Sequence, residues 1–122
     1  MRKLLCQVCA GPADQDGDGI LWVLKDHRDD WPDWPNDMGV TEPPICAPCL
    51  IAASRACPAL RRGHVAVRAG RADVAGVLGT VHRPGDPPSA NTLVPLDDPS
   101  IRWILAAQLA RRLRHCTLRE LP

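Results

Sequence analysis

Two cysteine pairs with the same internal gap, Cys6-Gln7-Val8-Cys9 and Cys46-Ala47-Pro48-Cys49, stand thirty-six residues apart in a chain that holds six cysteines. A two-residue gap lets two thiolates on one tight turn point at a single ion. Two such turns complete a four-sulfur tetrahedral site of the closed, structural kind. The expected cofactor is structural Zn2+, held by Cys6, Cys9, Cys46 and Cys49. Two disulfides, a redox dithiol or unconnected buried thiols are the competing readings. Cys57 lies eight residues beyond Cys49 and is expected as a buried apolar thiol rather than a fifth ligand.

Other residues with chemical potential are fewer. Asp14, Asp16 and Asp18 alternate and Gly19 follows, as in the first half of a calcium loop. The position where a closing Glu belongs is Lys25, and Gly11-Pro12-Ala13 is no entering helix. An acidic hairpin turn is the better expectation. Residues 26–45 are polar and irregular and contain two Trp-Pro pairs, which a helix interior does not accept. Trp31 and Trp34 are expected as a lid on the small core of the zinc module, with exposed anchoring of a partner as the alternative. No serine triad, glycine-rich phosphate loop or paired catalytic carboxylate site stands out, and a second metal site built from His64, His82 and Cys57 is left open by the sequence.

The elements that must position these residues are short. A strand is expected over residues 3–5, entering the first cysteine turn, and another over 20–24, leaving the acidic turn. Residues 50–56 read as a helix that begins at the second cysteine pair and aims its positive end at the sulfurs. Pro58 suits a new turn and Gly63 its stop. Residues 64–68 and 74–82 alternate as strands do and read as a hairpin turning at 69–73, with Gly76 and Gly79 marking a bulge or a close approach. A brief strand is expected over 92–96. After Asp97-Asp98-Pro99, the apolar residues Ile101, Leu105, Leu109 and Leu113 recur every fourth position and predict a C-terminal helix, with Arg111, Arg112, Arg114 and His115 at its end. The expected fold class is α+β: an N-terminal zinc module of hairpin and short helix over residues 1–62, packed with a small antiparallel sheet and a C-terminal helix over 63–122 as one compact domain.

Composition sets further bounds. The chain has four Trp but neither Phe nor Tyr, so its core volume comes from aliphatic residues and a metal cross-link would offset the deficit. The net charge is +1, yet residues 1–50 carry four Lys/Arg against nine Asp/Glu while residues 51–122 carry eleven against five. Such asymmetry marks either a nucleic-acid surface on the basic half, through Arg61, Arg62, Arg111, Arg112 and Arg114, or two halves that face each other, or charges scattered on solvated faces. No apolar run reaches membrane-spanning length, and the start Met1-Arg2-Lys3-Leu4-Leu5 is followed by Cys6 and Gln7 rather than by a signal core. No membrane partner is expected. A cytoplasmic location is, and there reduced thiols favour metal over disulfides.

A cysteine pair, a hairpin, a long loop and a second pair opening a helix resemble the treble-clef class of zinc modules over about residues 3–60. Within that class the layout is similar to HNH endonucleases. Asp26-His27 ends a strand, Pro32 and Asn36 lie in the loop, and Ile45 precedes the second pair. The resemblance implies that Asp26 would hold a divalent metal, His27 would activate water against a phosphodiester, and Asn36 would orient that His. Where that family carries a further His or Asn after the second pair, this chain has Leu50, Ile51, Ala52 and Ala53. The leading expectation is therefore a small zinc-stabilised, non-catalytic binding module, a regulator or adaptor contacting protein or nucleic acid. An HNH-like nuclease is the alternative, and a thiol redox or metal-sensing protein the third.

Overall fold

A computed structural model describes residues 4–122. Lys3, the start of the first expected strand, lies outside them, and Leu5 makes only an isolated bridge to Pro12. The chain is a mixed helix and antiparallel-sheet fold with few helices. In order it runs β1 (Gln15–Asp16), β2 (Gly19–Lys25), β3 (Gly39–Val40), α1 (Ala47–Ala56), α2 (Pro58–Arg61), β4 (His64–Val81), β5 (Ser89–Pro95), a 3-10 turn (Pro99–Trp103) and β6 (Ile104–Arg119). No helix among the described residues is long and apolar enough to cross a membrane.

β4 organises the sheet. One of its edges takes β2 against residues 64–69 and β5 against residues 76–81; the other takes β6 from Ala66 to Val81. β3 adds to the far side of β6 at Arg111 and Arg112. The acidic turn expected at 14–19 is present as the β1–β2 hairpin, where the Asp16 carboxylate accepts the Asp18 N–H at 2.8 Å. Gly19 is required there: its φ is +114° and a Cβ would stand 2.1 Å from the Ala69 carbonyl oxygen.

Alternation along β2 gives the sheet two covered faces. Trp22 and Leu24 point to one side, where Trp34, Val40, Val65, Val67, Ala69 and Leu113 join them. Leu21 points to the other, against Ala66, Ile45, Leu50 and Cys6. Trp34 is thus core volume, as expected, but on the face opposite the cysteines rather than over them. Trp31 is exposed and stacks on His27 with ring centroids 5.6 Å apart. The two halves of the chain face each other electrostatically. Arg68 reaches Asp14 at 2.5 Å and Asp16 at 3.3 Å, Arg114 reaches Asp37 at 3.2 Å, and Arg119 pairs with Asp18.

Three expectations fail here. The C-terminal helix is absent: residues 104–119 are a strand paired with β4 along its length. A four-residue spacing is close to one helical turn and equal to two strand repeats, so the pattern of leucines cannot choose. The long strand β4 beside it chooses, because its backbone pairs with residues 104–119 and cross-strand packing outweighs helix propensity. The start signals were real but serve only the five-residue 3-10 turn, where Asp98 accepts the Ser100 N–H at 2.8 Å behind Pro99. The expected hairpin over 64–82 is instead one continuous strand, because β6 offers partners straight through residues 69–73. Gly76 and Gly79 do mark both bulges and close approach: a Cβ would meet the Val94 carbonyl oxygen at 2.6 Å and that of Leu105 at 2.1 Å, respectively. Cys57, finally, is exposed between α1 and α2 rather than buried.

Leu113 is fully buried where β6 crosses the Trp22 cluster. Leu113→Ala is expected to cost about 2–5 kcal/mol, read as a shift of the urea midpoint with an unchanged slope.

Candidate metal centre

The first cysteine turn is built by backbone hydrogen bonds. The Cys6 N–H donates to the Gly11 carbonyl at 2.7 Å and the Ala10 N–H to the Cys6 carbonyl at 3.0 Å, with Ala10 in the left-handed region at φ 59°. Amide groups then aim at sulfur: Val8 N–H at Cys6 Sγ and Gly11 N–H at Cys9 Sγ, both at 3.4 Å. The second pair sits at the start of α1, with Cys46 as its N-cap and Pro48 in the first turn, where a missing N–H costs nothing. Two bonds bring the pairs together. The Ile45 N–H donates to Leu21 of β2 and the Gln7 N–H to Pro44, each at 2.9 Å.

The result is a cluster in which all four Sγ atoms lie within 4.8 Å of one another, and Cys9 and Cys46 are 3.8 Å apart. Four sulfurs at ~2.3 Å from a tetrahedral ion stand about 3.8 Å apart. The spacing, the soft donor set and the N–H···S bonds all fit, so these four residues could hold a metal ion. Burial raises the pKa of Cys6, but the backbone N–H groups of Cys9, Cys46 and Val8 outweigh it and bring the thiol down to about 6. Cys49 goes the other way, up to about 12, chiefly through its hydrogen bond with Cys46, then burial, then Cys9 and Cys6. One negative charge is welcome on this cluster; further ones need a cation nearby.

The residues of the nuclease-like layout are placed differently. The Asp26 carboxylate is held by the Arg28 guanidinium at 2.8 Å and by its N–H, and these bonds lower its pKa. His27 Nδ1 lies 2.5 Å from Asp30. Asn36 points away from His27: its Oδ1 accepts the Cys116 N–H on β6 at 3.0 Å and its amide faces Asp33. Among the described residues the four cysteines form the one group of three or more Cys, His, Asp or Glu that could hold a metal ion. His64 and His82 stand at opposite ends of β4, so no second site forms from them.

Of the candidate nucleic-acid arginines, Arg61 donates to the Ser54 and Pro122 carbonyls, Arg111 to Ala72, and Arg114 pairs with Asp37. Sequence reasoning missed the groove beside the cysteines. It is a cavity of about 590 Å³ whose walls include Leu4, Leu5, Val40, Pro43, Pro44 and Leu109, next to Cys6. The four-residue spacing places Leu109 on a helix, and nothing in that spacing shows that a strand leaves it open. Comparison with protein-family models, curated proteins and solved structures gave no match.

Three outcomes are expected. Metal affinity, measured by competition with a chromophoric chelator, should fall as the pH drops through about 6, where Cys6 takes up its proton. Cys49→Ser should weaken it about 100-fold or more, one ligand's share of a four-thiolate site. In the metal-loaded protein at pH 8, the exposed Cys57 should react first with a thiol reagent. Cys116, raised to about 11 by burial and then by Asp33 and Asp37, should lag.

Proposed function

We propose that this chain is a small zinc-stabilised, non-catalytic binding module, a regulator or adaptor whose partner is a protein. The cysteine turn, the β1–β2 hairpin and a helix opened by the second pair support a treble-clef-like arrangement, and an all-thiolate tetrahedral site favours Zn2+ as the ion. Zinc bound there would cross-link the N-terminal turn to α1. The pairing of β2 with β4 supports reading residues 1–62 and 63–122 as one functional unit. Reduced thiols of this kind persist in a cytoplasmic environment.

The observation that carries the reading is the apolar groove flanked by the cysteine turn. Leu5 and Leu109 on its walls are each about half exposed, at 50% and 54%. Apolar walls with Gln7, Gln108 and Arg111 around them suit an apolar peptide segment more than a phosphate backbone. Three of the five arginines that would contact phosphates, Arg61, Arg111 and Arg114, are already engaged with carboxylates and carbonyls.

The test combines a partner assay with a nuclease assay. Native partners captured by the zinc-loaded protein should be lost with Leu109→Asp while metal content and fold are kept. Binding to DNA or RNA should be absent or insensitive to salt. Plasmid cleavage with magnesium or manganese that disappears in His27→Ala would overturn the proposal in favour of the HNH-like alternative built on Asp26 and His27.

A further inference from the structure

Beyond the Trp22 cluster the sheet runs out as a three-stranded arm made of β4 residues 74–81, β5 and β6 residues 104–110. One face of the arm is closed by Val77, Val81 and Val94 with Ile101 and Ile104. The other is bare, with Leu105 71% and Leu93 53% exposed. A bulge between the β6 partners of Leu78 and Gly79 turns Leu105 to the bare face while Leu109 faces the groove. The outer edge of β6 is open along this arm. Among the described residues β3 pairs with β6 at Arg111 and Arg112, and from Ile104 to Ala110 no strand lies on the side away from β4. Proteins blunt strand edges with charges or prolines. The other edges here follow that rule: Asp14, Asp16 and Asp18 line the β1 hairpin, and Pro87, Pro88 and Pro95 stand at the ends of β5. Residues 104–110 of β6 contain neither a charge nor a proline.

The groove of about 590 Å³ opens beside this edge, where the chain leaves β3. Its two walls differ in what their backbones offer. On the loop wall the Glu42 carbonyl accepts the Trp22 indole N–H at 3.1 Å. The Pro43 carbonyl accepts the Gln7 side-chain amide at 3.2 Å, and the Pro44 carbonyl the Gln7 N–H at 2.9 Å. The two prolines have no N–H to donate. The β6 wall is different. The Leu113 N–H donates to the Met38 carbonyl at 3.0 Å and its carbonyl accepts the Asp37 N–H at 2.8 Å, so its backbone faces away from β4. Alternation along an antiparallel strand repeats that direction at Arg111 and again at Leu109. Arg111 is met there by Val40. Leu109, whose side chain lines the groove, has no backbone partner on that side among the described residues.

We propose, on the reading of this groove as a protein-docking site, that its occupant is one extended segment of the partner, added to the edge of β6 as an antiparallel strand in line with β3. In strand addition, main-chain hydrogen bonds hold the peptide and alternate side chains set which sequence is accepted. The residue opposite Leu109 shares its face, so its side chain enters the groove beside Leu4, Leu5 and Val40 and has to be apolar. The residues flanking it point to the other side of the sheet, toward solvent, and can be polar. The segment recognised is therefore one that alternates apolar and polar residues. It also has to be a free strand. β6 of a second copy carries β4 along its other edge and cannot enter a groove walled also by residues 4–7 and 41–44.

The probe is a capped Thr-Val-Thr-Val-Thr peptide, titrated into the metal-loaded protein and followed by amide NMR. Binding should slow solvent exchange of the Leu109 N–H. In an antiparallel pair the valines that enter the groove also turn their N–H groups toward β6, while the central threonine turns its own away. N-methylation of both valines should therefore weaken binding about 10-fold or more, the loss of two edge hydrogen bonds. N-methylation of the central threonine should leave it unchanged. No binding of the probe, an unprotected Leu109 N–H, or equal affinity of the two N-methyl peptides would overturn strand addition. Should one of these results coincide with native partners whose capture Leu109→Asp abolishes, the groove stands as a docking site and strand addition alone is refuted. Probe binding with the expected N-methyl pattern upholds strand addition at this edge, even where no native partner depends on Leu109 and the docking reading falls.

Discussion

Four sulfurs within 4.8 Å of one another impose the dominant constraint on this molecule. Thiolates so close repel unless protons or a cation intervene, and the cluster shows that tension: one thiol is drawn down to about 6 and its neighbour is pushed to about 12. The backbone around them is arranged to receive negative charge, with amide N–H groups aimed at Cys6 and Cys9. Two backbone bonds hold the two cysteine turns together beside β2, through Ile45 on Leu21 and Gln7 on Pro44. Local geometry, electrostatics and packing at this end of the sheet share one cause.

The rest of the core compensates for scarce aromatic volume by using both faces of one strand pair. β2 and the first part of β4 bury Trp22 and Leu24 on one side and Leu21 on the other. The irregular loop supplies Trp34 to the first side, and the cysteine turns supply Cys6 and Ile45 to the second. This explains how a chain without Phe or Tyr closes two layers of packing, each too thin to stand alone. The uneven charge of the two halves is absorbed in the same architecture. Asp14, Asp16, Asp18 and Asp37 from the first half meet Arg68, Arg119 and Arg114 from the second. These pairs orient the acidic hairpin and the β3 region on the sheet; the exposed pairs Arg114–Asp37 and Arg119–Asp18 add little stability each, whereas Arg68 is only 13% exposed where it meets Asp14.

Away from this doubly covered region the structure becomes a sheet with one covered face, and its surfaces change character. The groove next to the cysteine turn and the bare face of the arm lie on opposite sides of β6, and a single bulge assigns Leu109 to one and Leu105 to the other. Bulges of this kind re-aim side chains without altering the strand's pairing elsewhere. One strand thereby presents two separate apolar surfaces.

What the sequence by itself determined is local chemistry: the two matched cysteine turns, the acidic turn ahead of β2, a helix beginning at the second cysteine pair, and the strand character of residues 64–68 and of most of 92–96. Each follows from a short-range rule of ligand spacing, turn residues or alternation that needs no distant partner. Tertiary structure alone decided that residues 104–119 are strand, that residues 69–73 do not turn, that Trp34 faces away from the cysteines, and that Cys57 and Leu105 lie open. In every one of these cases the local pattern fits two conformations. Leucines four apart suit a helix turn or two strand repeats, and a Gly-containing stretch suits a turn or a strand with a bulge. The choice between them was made by which long strand stood alongside to take up the backbone hydrogen bonds, and no local pattern carries that information.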